Sequence, residues 1–305
     1  MDELSLDKKL DVKIILYMLG TYSLWGANTV AIKLSLLGVP PFMVVTLRMA
    51  ISLIFLAAWN LSRGVPFWAR GREAFLLIIF SILGGIANAA FILGTNYTSA
   101  SRAAVFINSY PLFTVFFAHF FLVGDQLNFQ KLMGSIVALA GLVLAFMGKG
   151  TPGEALALGD IIVIFSALAL AVRLILAKRM VAWIHPAKMI LWNVAVPIPL
   201  MALTSSIFED PTRMTFPPLA ILGVAYQGAV LGFFCHLVQA TLLKYYRANT
   251  IASFAFLVPI YGVIYSIILL GDPLTWGLAT GAVLVALGIF IVNYSPREVK
   301  AAEAL

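Results

Sequence analysis

Long apolar stretches, each about the length of a membrane-spanning helix, follow one another along nearly the whole chain. There are ten, at residues 12–33, 41–60, 74–95, 99–122, 128–147, 158–178, 187–207, 218–241, 248–270 and 275–293. A spanning helix needs about 20 mostly apolar residues, so each stretch is long enough. None shows the alternation of period two that is typical of an outer-membrane barrel. The pattern predicts an all-α integral membrane protein with ten transmembrane helices.

The ten stretches form two copies of one five-helix unit. In the early part of the unit, equivalent residues lie 145 positions apart: Lys33 and Lys178, Pro41 and Pro186, Arg48 and Asn193. Further on, the separation is 148: Gly84 and Gly232, Tyr97 and Tyr245, Pro111 and Pro259. We predict two repeats, residues 12–147 and 158–293, which together make one membrane domain. Because five is an odd number, the second copy begins on the opposite side of the membrane, and the repeats are inverted.

Composition agrees with a lipid environment. Hydrophobic residues make up 62% of the chain and charged residues 11%, whereas about a quarter of the residues of a soluble protein are charged. The connections between the stretches are short, which excludes a separate soluble catalytic or binding domain. Any function therefore depends on the helices within the bilayer.

The basic residues predict the orientation. If the N-terminus is cytoplasmic, fourteen of the 20 Lys and Arg residues lie on the cytoplasmic side and four on the outer side. This asymmetry is the positive-inside pattern, and it predicts that both termini are cytoplasmic. It also accounts for the net charge of +7 without a nucleic-acid partner.

Polar side chains inside the predicted helices mark the candidate site, because such groups usually face the bundle interior or a wet cavity. Asn88 and Phe91 share one face of the third helix with Gly84, and the same face of the eighth helix carries His236 and Gln239. Asn88 and His236 are equivalent in the two copies. Such residues can also serve only to hydrogen-bond a neighbouring helix, and that interpretation stays open.

Two further positions exchange arginine and asparagine between the copies. Asn28 in the first helix is equivalent to Arg173 in the sixth, and Arg48 in the second to Asn193 in the seventh. Arg173 and Arg48 could bind an anionic substrate group, or could extend to the membrane interfaces; Arg48 could also lock two helices together. The aromatic rings of Trp25 and Tyr261 could contact substrate or simply pack.

Prolines and glycines suggest how the helices move and pack. Pro111 and Pro259 occupy equivalent mid-helix positions, where proline removes a backbone hydrogen bond, so we predict that they act as hinges. Glycines recur at spacings of four and seven in the fifth and tenth helices, including Gly134, Gly141, Gly281 and Gly288. Such small faces favour close helix packing, which makes these two helices supports rather than walls of a site.

What is missing narrows the mechanism. No Asp or Glu is predicted inside a helix, with Asp160 placed at a helix start, so a carboxylate-based sodium site or proton relay is not expected. His236 is the one mid-bundle group that titrates near neutrality, which leaves His-mediated proton coupling or uncoupled transport. Motifs for zinc hydrolysis, a serine nucleophile or a phosphate-binding loop are also missing. We expect no catalytic residues, no metal and no other cofactor.

Several motifs resemble the EamA-type family of the drug/metabolite transporter superfamily. They are Trp25-Gly26-Ala27-Asn28 followed by Ala31-Ile32-Lys33, Leu47-Arg48, Tyr97 to Pro111-Leu112, Gly159-Asp160, and Tyr245 to Pro259-Ile260. The resemblance implies two inverted five-helix repeats, a central cavity walled by helices one to four and six to nine, and alternating access. It also implies efflux of small metabolites such as amino acids across a bacterial inner membrane. The second copy departs from the family pattern, with Leu170 where a Trp is often found and Arg173 as an added charge.

These observations favour a secondary transporter that exports a small polar or amphipathic metabolite, such as an amino acid or related carboxylate. The predicted substrate-binding residues are Trp25, Asn28, Asn88, Phe91, Arg173, His236, Gln239 and Tyr261, with Arg48 as a further anion-binding or helix-locking residue. We expect a monomer or weak homodimer whose partners are the substrate and the lipid bilayer. The alternative is a membrane protein without transport activity, either a lipid-handling enzyme or a structural bundle.

Overall fold

The protein is helical throughout the part that the structure describes. This computed structural model describes residues 12–121, 128–147, 154–242 and 254–293, and no strand occurs within those ranges. The predicted cytoplasmic termini, Tyr245 and residues 148–153 of the connection between the copies lie outside these ranges.

Helices occupy the positions of the predicted apolar stretches. In chain order they are α1 (Val12–Gly26), α2 (Asn28–Ser35), α3 (Pro41–Ser62), α4 (Gly71–Tyr97), α5 (Ala100–Ile107), α6 (Tyr110–Phe121), α7 (Phe129–Met147), α8 (Glu154–Met180), α9 (Pro186–Ala195), α10 (Pro197–Phe208), α11 (Pro218–Ala225), α12 (His236–Leu242), α13 (Leu257–Leu270) and α14 (Trp276–Asn293). A π-helix, Tyr226–Cys235, joins α11 to α12, and short 3₁₀-helices cover Pro211–Arg213 and Phe254–Phe256.

Several of these helices are long and apolar enough to cross a membrane. Within the described ranges there are seven: Pro41–Ser62, Gly71–Tyr97, Ala100–Phe121, Leu156–Met180, Pro186–Phe208, Pro218–Gln239 and Trp276–Asn293. Two shorter apolar helices cover Phe129–Ala145 and Phe254–Leu270, and the first stretch is divided between α1 and α2. The chain is therefore a multi-pass membrane protein, and the prediction of an all-α fold is confirmed.

The two predicted hinge prolines follow interruptions in their helices. Pro111 is the second residue of α6, directly after the break at Asn108-Ser109. Pro259 is the third residue of α13, directly after the 3₁₀-helix Phe254–Phe256. The first turn of a helix needs no N–H from these positions, so each proline starts a helical segment without losing a bond.

Helix packing is dense along two seams. α7 lies along α14 and α4 along α8. At the first seam, a Cβ on Gly141 would lie 2.7 Å from the carbonyl oxygen of Gly281, and one on Gly134 would lie 2.9 Å from that of Gly288. The predicted close packing of the fifth and tenth helices through these glycines is confirmed.

Two carboxylates of the second copy bond to residues near the start of α5 in the first copy. Asp160 accepts a hydrogen bond from Thr98 Oγ1 (2.6 Å) and pairs with Arg102, while Asp272 accepts from the backbone N–H of Ser101 (2.9 Å). The predicted position of Asp160 at a helix start is wrong. The residues before it continue the helix, α8 begins at Glu154, and Asp160 is a fully buried residue within α8.

The α7–α14 seam yields a stability prediction. Gly141→Ala places a methyl group against the backbone of α14, which cannot move aside as a side chain can, so we expect a loss of about 1–3 kcal/mol in unfolding free energy. Thermal unfolding of the purified protein in detergent measures this as a lower midpoint. Gly20→Ala is the matched control, because a Cβ on Gly20 meets no atom within 4 Å. Equal midpoints for both variants would contradict the proposed packing of the seam.

Candidate substrate-binding cavity

A cavity of about 400 Å³ lies between the helices of the two copies. Its lining comes from α1 to α6, α8, α9, the π-helix, α12 and the segment that begins α13, whereas α7 and α14 contribute no residue. The polar and aromatic lining residues are Tyr22, Trp25, Asn28, Thr29, Arg48, Ser52, Asn88, Phe91, Asn108, Tyr110, Ser166, Arg173, Asn193, His236 and Gln239. Amides, hydroxyls and guanidinium groups thus face one space inside an apolar bundle.

The structure brings together most of the residues that the sequence singles out. Those in the cavity lining are Trp25, Asn28, Asn88, Phe91, Arg173, His236, Gln239 and Arg48. Tyr261 does not line this cavity. Tyr261 lies where α13 packs against α1, because a Cβ on Gly26 would lie 3.2 Å from the backbone carbonyl carbon of Tyr261. The ring of Tyr261 stacks on the ring of Tyr265, with 6.0 Å between the ring centres.

Arg173 turns its guanidinium towards neighbouring helices within the bundle. Its Nη1 donates to Asn193 Oδ1 (3.2 Å), and its Cζ lies 5.2 Å from the centre of the Phe80 ring. Gly84 leaves room for this arrangement, because a Cβ there would lie 3.2 Å from Arg173 Cδ. Arg173 Nε is buried and has no hydrogen-bond partner among the described residues. The guanidinium therefore holds at least one unused donor inside the protein.

Arg48 lines the cavity and also links helices. Its Nη1 donates to Gln227 Oε1 (3.1 Å) in the π-helix. Gln227 is fully buried and in turn donates through Nε2 to Ser35 Oγ (2.7 Å) in α2. The side chain of Arg48 thus contributes to a helix-to-helix contact and adds a second positive charge to the cavity wall.

Neither arginine is neutralised by an acidic side chain in the described part of the chain. No Asp or Glu lines the cavity. The ion pairs found within the described ranges are Arg102–Asp160, Lys188–Glu73 and Arg213–Asp210, and none of them includes Arg48 or Arg173. Because arginine stays protonated in proteins, the cavity carries two positive charges that no acidic side chain of the described ranges compensates.

His236 and two aromatic rings form another side of the cavity. His236 Nδ1 lies 2.7 Å from the carbonyl oxygen of Leu231, which can only accept, so Nδ1 carries the proton. The Trp25 ring meets the His236 ring edge-on at 5.8 Å, and Tyr22 lies 5.5 Å from Trp25. This wall offers apolar ring surface beside a histidine whose Nε2 remains available.

The two asparagines differ in how their amides are used. Asn88 Nδ2 donates to the carbonyl of Gly84 (2.9 Å) in its own helix. Asn28 Oδ1 is buried and has no donor among the described residues. Asn28 follows the interruption between α1 and α2. An acceptor without a donor in the cavity wall suits a ligand N–H or O–H group.

Sequence reasoning missed several lining residues. Tyr22 lies three residues before Trp25 on one helix face, so the same spacing argument could have found it. Gln227 does not line the cavity, but it positions Arg48 from a π-helix, an element that often occurs at functional sites and has no simple sequence pattern.

The fold and the cavity together define a class: a multi-pass helical membrane protein that encloses a binding space for a small solute between its helices. The chain belongs to the EamA-like transporter family, whose profile matches residues 12–147 and again residues 157–294. It is therefore a membrane transporter, and the family resemblance is confirmed.

Individual relatives agree with this assignment. The chain is similar to YoaV of Bacillus subtilis (strain 168), an uncharacterized transporter, with 23% identity over 294 residues that cover 94% of this chain and all of that protein. It is 28% identical to a probable amino-acid metabolite efflux pump of Escherichia coli (strain K12), covering 91% and 93% of the two chains. A solved crystal structure shares the fold with a TM-score of 0.66 at 19% identity, covering 90% and 94%.

Thiol labelling tests whether the cavity is wet. We expect cysteines introduced by Asn88→Cys and Gln239→Cys to react with a small water-soluble maleimide, because both side chains face the cavity. Two controls should remain unreactive in the folded protein: the native Cys235, which is 0% exposed, and Ser81→Cys, which replaces a fully buried hydroxyl in the same helix as Asn88. Equal protection of all four thiols would identify a dry, packed bundle instead.

Proposed function

We propose that the protein is a secondary transporter that exports a small polar or amphipathic metabolite bearing a carboxylate, such as an amino acid or related acid, across a bacterial inner membrane. The observation that carries the proposal is the cavity between the copies, with two arginines that no carboxylate of the described chain neutralises. Substrate carboxylate bound at Arg173 would use Nε, and Asn28 Oδ1 would accept from a substrate N–H or O–H group; both atoms are buried, so each side chain would turn towards the cavity to bind. The cavity is formed within one chain, which supports action as a monomer or weak homodimer.

The proposal includes ten transmembrane helices in two inverted repeats, with both termini in the cytoplasm. Helix packing supports it, because the contacts come in equivalent sets. α4 packs on α8, and its counterpart α11 packs on α2; α6 packs on α8, and α13 on α1; α3 packs on the π-helix, and α9 on α4. Three further contacts, α7 with α14, α3 with α10 and α5 with α13, join equivalent helices directly. A two-fold relation between the copies accounts for all of them.

Alternating access then requires contacts that can be exchanged. The bonds of Asp160 with Thr98 and Arg102, and of Asp272 with Ser101, lie at the predicted outer ends of the helices and join the two copies there. Release of substrate to the outside would break these bonds. The interruptions before Pro111 and Pro259 supply places where helix segments can change direction.

A second exchange concerns the arginines and asparagines. In the second copy, Arg173 donates to Asn193. The equivalent residues of the first copy are Asn28 and Arg48, but there Arg48 donates to Gln227 and the Asn28 oxygen has no donor among the described residues. In an inverted repeat, the alternate state gives each copy the conformation of the other. We propose that the outward-facing state forms the Arg48–Asn28 bond and breaks the Arg173–Asn193 bond.

Flux into liposomes tests the site. Arg173→Gln removes the charge that would hold the carboxylate, and a lost charged hydrogen bond contributes about 1.5–3 kcal/mol, so we expect transport of radiolabelled amino acids to fall about ten-fold or more. His236→Ala should also slow transport. Arg72→Gln, the same charge removal at an exposed residue, should leave the flux unchanged. Flux equal to that of the wild type in both cavity variants would contradict the site assignment.

The exchange of bonds predicts opposite effects of two matched substitutions. Asn193→Ala weakens the described state, so labelling of Asn88→Cys from the outer side should rise relative to labelling from the inner side. Asn28→Ala weakens the alternate state, so the same ratio should fall. Right-side-out and inside-out vesicles give the two rates, and a change of about ten-fold corresponds to the loss of one such bond. Changes in the same direction for both variants would rule out the exchange.

A further inference from the structure

The two cavity arginines lie at different depths in the bundle. α3 and the α9–α10 segment run antiparallel: Glu209 accepts from the backbone N–H groups of Phe42 (2.6 Å) and Met43 (3.0 Å) at one end, and Asn60 Nδ2 donates to the carbonyl of Ala187 (3.4 Å) at the other. The bonds at Phe42 and Asn60 therefore mark two levels that are roughly 27 Å apart at 1.5 Å rise per residue.

Each arginine lies nearer to one of these two ends. Arg48 follows Phe42 by six residues, and Asn193, which accepts from Arg173, follows Ala187 by six residues. Arg48 and Asn193 therefore each lie roughly 9 Å from the nearer marked end of the antiparallel pair. The levels of these two residues are separated by roughly 9 Å along the helix axes. A ligand that contacts the protein at both levels must therefore extend across this offset.

The charges of both guanidinium groups remain to be balanced. The partners seen for Arg48 and Arg173 are the amide oxygens of Gln227 and Asn193, which are neutral acceptors. A guanidinium has five N–H donors, so each group keeps donors for a ligand. A buried charge without a counter-charge is strongly destabilising, so an anion that reaches both arginines stabilises the site more than an anion that reaches one.

We infer that the preferred substrate is a dicarboxylate, with one carboxylate on Arg48 and the other on Arg173. This inference rests on the proposed transport function and narrows its substrate class to acids with an anionic group at each end, with or without an amino group. The cavity of about 400 Å³ falls within the size range of small-molecule sites. Among the residues that the structure describes, no Asp or Glu lines the cavity to repel either carboxylate.

Binding of charge-matched pairs tests the inference. Succinate is compared with succinamate, and aspartate with asparagine, by calorimetry on the full-length protein in nanodiscs; each pair has nearly the same shape and differs by one carboxylate. We expect each diacid to bind at least about ten-fold more tightly than its half-amide. Glycerol phosphate, which carries its charge at one end, should bind more weakly than succinate.

Arg48→Gln and Arg173→Gln provide the second arm. Each variant keeps one cation, so we expect it to bind the diacid and the half-amide with nearly equal affinity, mainly through weaker binding of the diacid. Arg72→Gln is the control and should keep the wild-type preference. If either cavity variant fails to fold, the affinities of the wild-type protein for each diacid and its half-amide still test the inference.

The outcomes separate this inference from the transport proposal. Equal wild-type affinities for diacid and half-amide, together with Arg173-dependent flux of a monocarboxylate, overturn the dicarboxylate and leave the transport function standing. Tighter binding of glycerol phosphate than of succinate overturns the inference that the substrate binds through two separated anionic groups. Absence of flux for every acid in liposomes overturns the transport proposal itself, and the dicarboxylate inference with it.

Discussion

The structure depends on one constraint: inside a bilayer no water is available to hydrogen-bond a polar group, so every such group must find its partner within the protein or line a wet cavity. Most polar side chains in the described helices find a hydrogen-bond partner within the protein. Thr95 and Ser81 donate to carbonyls one turn earlier in α4, and Ser166 donates to Ala87 across a helix contact. The buried donor of Arg173 and the buried acceptor of Asn28 have no partner among the described residues, and both residues face the cavity. Thr29 Oγ1, also in a cavity residue, is a third such atom, whereas Asn60 Oδ1 and Ser135 Oγ are buried without a partner among the described residues away from the cavity.

The same constraint explains why different helices have different roles. α7 and α14 pack backbone to backbone through Gly134, Gly141, Gly281 and Gly288. The side chain of Gln130 adds a hydrogen bond across this seam, to the carbonyl of Ile291 (2.6 Å). The helices that line the cavity are less regular. α1 is separated from α2 beside Asn28, α5 from α6 beside Asn108, and a π-helix precedes His236. Irregular backbone is tolerated at membrane depth where it lines a cavity. A rigid seam and an adaptable core therefore follow from different residues of the same repeat.

The apolar stretches and the recurrence of equivalent residues were enough to predict the all-α fold, and eight of the nine predicted site residues line the cavity. Asn88, His236 and Gln239 could be found because a polar residue within a spanning helix usually faces the bundle interior or a wet cavity. Tyr261 could not be placed, because whether its ring faces the cavity depends on how closely α13 approaches Gly26, a contact between distant segments. Asp160 was misplaced because helix length at a membrane surface depends on the buried pair with Arg102, which sequence spacing does not reveal.

The difference between the copies lies in how each holds its arginine. Arg173 bonds to the residue equivalent to Arg48, so a perfectly symmetric protein would bond Arg48 to Asn28. In the described structure Arg48 donates to Gln227 instead of to Asn28. Its equivalent in the first copy is Ile79, which has no acceptor to offer, so Arg173 and Asn193 meet no such competitor. One glutamine, set on a π-helix and bonded to Ser35, thus gives Arg48 a different partner from Arg173 and, under the proposed exchange, would make the two conformations unequal in energy.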